Sequence, residues 1–188
     1  MKKMLMFLAV AVIAGISQAA SIKWTASNIY AGNATDKIAG GAAYLFVADG
    51  SLSSADVKTY LGGDAALADK SSYLSSKSLA NTTTTSTGTI SYTGDVTLAD
   101  GNYDFFMVVF DSNPITDSSK FFVTDPKTGI AITSVGTASV SIGSQKAFSQ
   151  DASNFATVSG GGGDVPEPTS GLLLLIGGAM MALRRKQK

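Results

Sequence analysis

Between residues 20 and 165 the chain has no histidine, no cysteine, no arginine and no glutamate; both arginines and the only glutamate of its 188 residues lie beyond Asp164. Each absence removes a class of chemistry. Without histidine there is no ready general base near neutral pH, without cysteine no thiolate nucleophile, and without arginine no bidentate clamp for phosphate or carboxylate. A serine nucleophile would have only Lys or Asp to activate it, and a glycosidase site would have to be built from aspartates alone. The sequence is therefore read as non-enzymatic, with no cofactor and no metal. The lack of cysteine leaves the redox compartment unmarked, since a domain of this size can hold a core without disulfides.

Formal net charge is zero, but it is the sum of unlike parts. Lys2 and Lys3 stand at one end and Arg184, Arg185, Lys186 and Lys188 at the other, while residues 20–165 carry eight lysines against thirteen aspartates, a net −5. That segment repels phosphate backbones, so nucleic acid is excluded as a partner. With 45% hydrophobic residues the chain has enough apolar side chains to build a core, and its middle is one domain's worth of sequence.

The first 19 residues read as a secretory leader. Lys2-Lys3 is followed by an apolar run, Met4 to Ile16, and Ser17-Gln18-Ala19 puts small residues at the −3 and −1 positions of a signal-peptidase site. Cleavage is expected between Ala19 and Ala20, on passage through the general secretion machinery.

Residues 20–158 show strand periodicity. Ile22, Trp24, Ala26 and Tyr30 alternate with polar residues, as do Ile90 and Tyr92, Val96 and Leu98, and Ala138, Val140 and Ile142. Ala42–Ala48 and Phe105–Phe110 are apolar at successive positions, as in strands covered on both faces. Asp100-Gly101 reads as a hairpin turn between Leu98 and Tyr103. The expected fold is mainly β, a single antiparallel β-sandwich with one short helical insertion. That helix spans residues 54–61, started by a Ser53/Asp56 capping box and stopped by Gly62-Gly63; Asp64 to Lys70 can add a second turn or two. The threonine-rich stretch from Asn81 fits either a loop or an edge strand.

Asp100, Asn102 and Asp104 have the spacing of a calcium loop, with Asp111 at the twelfth position, but the sixth is Phe105 where glycine is needed. We read a turn. Asp36, Asp49, Asp64, Asp117 and Asp125 also stand among turn-forming residues. Trp24, Tyr30 and Tyr44 would stack on sugar rings if exposed, but their alternation favours a core or strand face.

Ser159 and Gly160–Gly163 open a flexible linker, residues 159–165, and a distinct tail follows at 166–188. Pro166 and Pro168 fix their own φ and hold their preceding residues extended, so Pro166-Glu167-Pro168 is presented as an exposed peptide that an enzyme can bind. The apolar residues 169–183 make a transmembrane helix of about 22 Å against roughly 30 Å of hydrocarbon, a short fit suited to a temporary anchor. Arg184, Arg185 and Lys186 form a basic stop that keeps this end cytoplasmic and the β domain outside the inner membrane.

Val165-Pro-Glu-Pro-Thr-Ser-Gly, then Leu172-Leu-Leu-Leu-Ile-Gly-Gly, then Arg184-Arg-Lys resembles the PEP-CTERM sorting signal of Gram-negative bacteria, over about the last 24 residues. The resemblance implies recognition of Pro166, Glu167 and Pro168 by an exosortase, an integral-membrane cysteine-dependent enzyme, in organisms that make extracellular polysaccharide. The expectation is an exported surface or extracellular-matrix protein, anchored in the inner membrane only in transit. The alternative is a secreted carbohydrate- or calcium-binding module on the same tail. The mature protein is expected to begin at Ala20; N-terminal sequencing of native material that still began at Met1 would remove the export argument.

Overall fold

The computed structural model describes residues 20–159. The leader, the linker beyond Ser159 and the tail lie outside the described residues.

Chain order is β1 (Ala20–Ser27), β2 (Ala42–Ala48), α1 (Ser54–Gly62), α2 (Leu67–Lys77), β3 (Ala80–Thr83), β4 (Ile90–Val96), β5 (Gly101–Phe110), β6 (Lys120–Val123), β7 (Lys127–Ile132), β8 (Thr137–Ser144), α3 (Lys146–Gln150), a 3-10 turn (Ala152–Asn154) and β9 (Ala156–Thr157). The fold is mainly β, with two sheets and few helices. One sheet has the order β4-β1-β8; the other runs β3-β2-β5-β6-β9, with β7 also paired to β5.

The alternation in β1 does what its sequence implies. Ala20, Ile22, Trp24 and Ala26 turn inward and are buried, and they meet the inward face of the second sheet. The doubly apolar runs take the middle of that second sheet. In β5, Phe105, Met107 and Val109 face the first sheet, while Phe106, Val108 and Phe110 face the opposite way. β2 divides likewise, with Ala43 and Leu45 on one side and Ala42 and Phe46 on the other. The outward set is covered by α1 and α2 through Val57, Leu61 and Leu74. Three layers result: sheet, sheet, helices. Burial of each large side chain contributes about 1.5–3 kcal/mol, and Phe46 stacks on Phe106 with ring centroids 5.2 Å apart.

Three expectations need correction. The sandwich is not wholly antiparallel: β1 pairs antiparallel with β4 but parallel with β8. Its register with β8 slips after Thr25, because Ile142 bulges out beside Gly143, whose φ of 80° suits glycine. Secondly, Asp100-Gly101 is no hairpin. β4 pairs with β1 and β5 with β2, so the turn carries the chain from one sheet to the other. Neither Asp100 nor Gly101 takes the positive φ that an Asp-Gly hairpin turn uses, and Gly101 already opens β5.

Thirdly, the helical insertion is larger than expected. The first helix matches, with Ser53 Oγ accepting from the Asp56 N–H at 3.2 Å and Asp56 Oδ2 accepting from the Ser53 N–H at 3.1 Å. The second spans Leu67–Lys77. Its four serines hide it, being weak helix formers, yet Ser72 and Ser75 return their hydroxyls to the carbonyls of Ala68 and Ser71, both at 2.9 Å. Tyr73 stacks on Tyr60 of α1 at 4.2 Å, tying the two helices together. The threonine-rich stretch is both things the sequence allowed. Ala80–Thr83 is an edge strand on β2, and Thr85 to Thr89 form a turn.

Gly41, just before β2, marks a close backbone approach: a Cβ there would collide with the Phe110 carbonyl and with Ile38. Gly62, in the last turn of α1, has nothing within 4 Å of a built Cβ. Two Gly→Ala changes should therefore have opposite signs. Gly41→Ala is expected to lower stability by about 1–3 kcal/mol through overpacking, and Gly62→Ala to raise it by about 0.5–1 kcal/mol through helix propensity. Urea denaturation of both variants checks this, and a neutral Gly41→Ala would refute the close approach.

Candidate functional site

Of the residues expected to carry sorting, Pro166, Glu167, Pro168, Arg184, Arg185, Lys186 and Ala19 lie outside the described residues. So does the expected transmembrane segment 169–183; among the described residues no helix is long and apolar enough to cross a membrane. Ala20 is described. It opens β1, pairs with Val96 of β4 and is fully buried.

The described domain ends in a tied-down strap. β9 pairs with β6, Phe121 facing Ala156, and the Val158 N–H donates to the Ser119 carbonyl at 2.8 Å while its side chain fills the core beneath the helices. Lys70 of α2 holds the last residue. Its Nζ donates to the Gly63 carbonyl at 2.6 Å and to the Ser159 carbonyl, so the chain is fastened to the helical layer at the residue where the linker was expected to begin. Lys70 is itself buried, 1% exposed, and no sequence signal marked it. Burial pushes its ammonium below the ordinary lysine value, against the opposing pull of Asp117 and Asp64.

The calcium-like spacing does not converge on one point. Asp100 accepts from the Ser134 N–H at 2.5 Å, Asp104 from Gly129 at 2.8 Å and Asp111 from Lys120 at 3.0 Å; each carboxylate closes a different turn or strand junction. Among the described residues no group of three or more Asp side chains is placed to hold a metal ion. Trp24 is fully buried, so it is not a sugar-stacking surface, and its Nε1 has no hydrogen-bond partner. Tyr30 and Tyr44 are half-buried, Tyr44 with its ring edge-on to Phe110.

A cleft of about 350 Å³ opens where the helical insertion leaves β2 and returns to β3. Pairing of β2 with β3 (Leu45 beside Ala80) brings the two ends of the insertion together, so Asp49–Leu52 faces Tyr73 and Ser76–Leu79. The first wall is rigid: Asp49 and Leu52 exchange backbone hydrogen bonds at 3.1 and 3.2 Å. Asp49 Oδ1 accepts from both the N–H and the hydroxyl of Ser51, each at 2.7 Å. Those bonds, with a smaller contribution from Lys77, hold the carboxyl below its ordinary value, so it stays ionised at neutral pH. Sequence reading classed Asp49 as a turn residue, which it is; its place opposite Lys77 follows from the sheet.

Comparison with protein-family models, with curated proteins and with solved structures finds no match to this chain.

Lys70 gives a pH signature. Its folded-state value is depressed, so between that value and the ordinary lysine value the unfolded chain binds more protons, and stability rises with pH there. Wild type should gain on Lys70→Met as pH rises toward the ordinary lysine value. Paired urea midpoints measure this. A gap that narrows with rising pH would mean that the buried amine is not strained by its charge.

Proposed function

We propose that the chain is an exported, non-enzymatic surface or extracellular-matrix protein, whose tail directs its sorting and processing and whose β domain contributes structure outside the cell. One observation carries the reading: Pro166-Glu167-Pro168, an apolar run at 169–183 and the basic cluster Arg184-Arg185-Lys186 stand in that order in the sequence, in a chain that also opens on a charged and then apolar segment. A leader that starts export and a positive stop that holds the tail in the cytoplasm give the same orientation, with residues 20–159 on the far side of the inner membrane.

In this reading signal peptidase removes residues 1–19, and the tail waits in the inner membrane for an exosortase-type enzyme. That partner supplies the catalytic cysteine. The substrate contributes a peptide that cannot fold away, because each proline blocks helix at its own position and disfavours it at the residue before. A span shorter than the hydrocarbon thickness suits an anchor that is later released. The non-enzymatic part rests on the missing His, Cys, Arg and Glu of residues 20–165. Extracellular polysaccharide is the surrounding in which such a protein would work.

Replacing Pro166 and Pro168 by Ala removes a helix penalty of about 3 kcal/mol at each site, letting the apolar helix grow toward the domain. In a host with the matching enzyme this variant should collect in the inner membrane with Arg184 to Lys188 attached, while wild type appears outside without them. Intact-mass measurement of both fractions decides it. Wild type that kept its basic end in its native cells would show the tail to be a plain anchor.

A further inference from the structure

The cleft between the two ends of the helical insertion has a chemistry that the sorting reading does not use. Its floor is apolar and half-buried, made by Val47, Leu52 and Leu79. Its rim is polar and carries one anion and one cation, Asp49 and Lys77, together with Tyr73 and Ser78. We propose that this cleft binds a single hexopyranose unit, whose C–H face lies on the apolar floor while neighbouring hydroxyls bridge Asp49 and Lys77.

Size sets the first limit. At about 350 Å³ the cleft lies at the small end of ligand cavities, which run from about 300 to 1,000 Å³, so its occupant is one small ring and not a cofactor-sized molecule. Charge sets the second. Lys77 is opposed by Asp49, so the cleft has no excess positive charge to hold phosphate, and one carboxylate does not make a cation site. A ring with an apolar face and adjacent hydroxyls fits what is left. Each hydroxyl both donates and accepts, so a vicinal pair can donate to a carboxylate and accept from an ammonium at once.

The groups are held ready for this. Both hydrogen bonds from Ser51 go to Oδ1 of Asp49, leaving Oδ2 for an incoming hydroxyl, and the backbone pair between Asp49 and Leu52 fixes the turn that carries it. Stacking on Tyr60 sets the ring of Tyr73, and burial, reinforced by Asp56, keeps its hydroxyl protonated and able to donate. Lys77 closes α2, and the Leu79 N–H donates to the Leu45 carbonyl at 2.7 Å, anchoring that wall to the sheet. Asp49 and Tyr73 need little ordering on binding, whereas the exposed Lys77 side chain must give up rotamer freedom.

The test is an amide chemical-shift titration of the isotope-labelled full chain, in a zwitterionic detergent free of sugar head groups, with glucose, galactose, mannose, N-acetylglucosamine and glucuronate. Saturable millimolar shifts are expected at Asp49–Leu52 and Tyr73–Leu79 for at least one of them. Asp49→Asn keeps an oxygen for Ser51 but turns the free acceptor into a donor, and should weaken that binding by at least about tenfold. Lys77→Met should weaken it similarly, and because its side chain is exposed it decides the matter if Asp49→Asn does not fold. Asp95→Asn, on the exposed face of β4, should change nothing. Absence of saturable shifts at these residues with all five sugars, or affinity unchanged in Lys77→Met, would overturn the proposal. Neither outcome bears on the processing of the tail.

Discussion

The pairing of β2 with β5 is the constraint around which the domain is arranged. Both strands are apolar at successive positions, so both faces of the ribbon must be kept from water. One face is covered by the sheet of β1, β4 and β8. The other demands a second cover, and the only long segment between β2 and its neighbour β3 supplies it as two helices. Layer number follows from the pattern of two strands, and so does the position of the insertion.

That insertion is also where polar chemistry gathers. Its ends are adjacent because β2 and β3 are hydrogen-bonded neighbours, which sets Asp49 across a cleft from Lys77. Its middle carries Lys70 under the strap that ends the domain, giving an otherwise apolar layer a buried amine satisfied by two carbonyls, Gly63 and Ser159. Replacing such a group by an apolar one is often tolerated in other proteins; here the amine also fastens the chain at Ser159, just before the glycines 160–163 of the sequence.

Legibility depended on the range of the interaction. The alternation of Ile22, Trp24 and Ala26, the capping box at Ser53 and Asp56, and the doubly apolar Phe105–Phe110 are signals within a few residues, and each described element matches. Asp100-Gly101 was read as a hairpin turn but is a bend leading into β5, because whether a connection closes a hairpin or crosses between sheets depends on partners as distant as β1 and β2. α2 was obscured because its serines are poor helix formers in isolation; Leu74 buried against the sheet and Tyr73 stacked on Tyr60 outweigh that preference.

The sequence alone determined which residue types are missing from residues 20–165 and the mainly β character of the fold. Composition and period are local properties that need no fold. Tertiary structure decided the parallel pairing of β1 with β8, the burial of Trp24 and Lys70, the scattering of Asp100, Asp104 and Asp111, and the meeting of Asp49 with Lys77. These are contacts between residues far apart in the chain, set by which strands share hydrogen bonds, and no spacing within one segment encodes them.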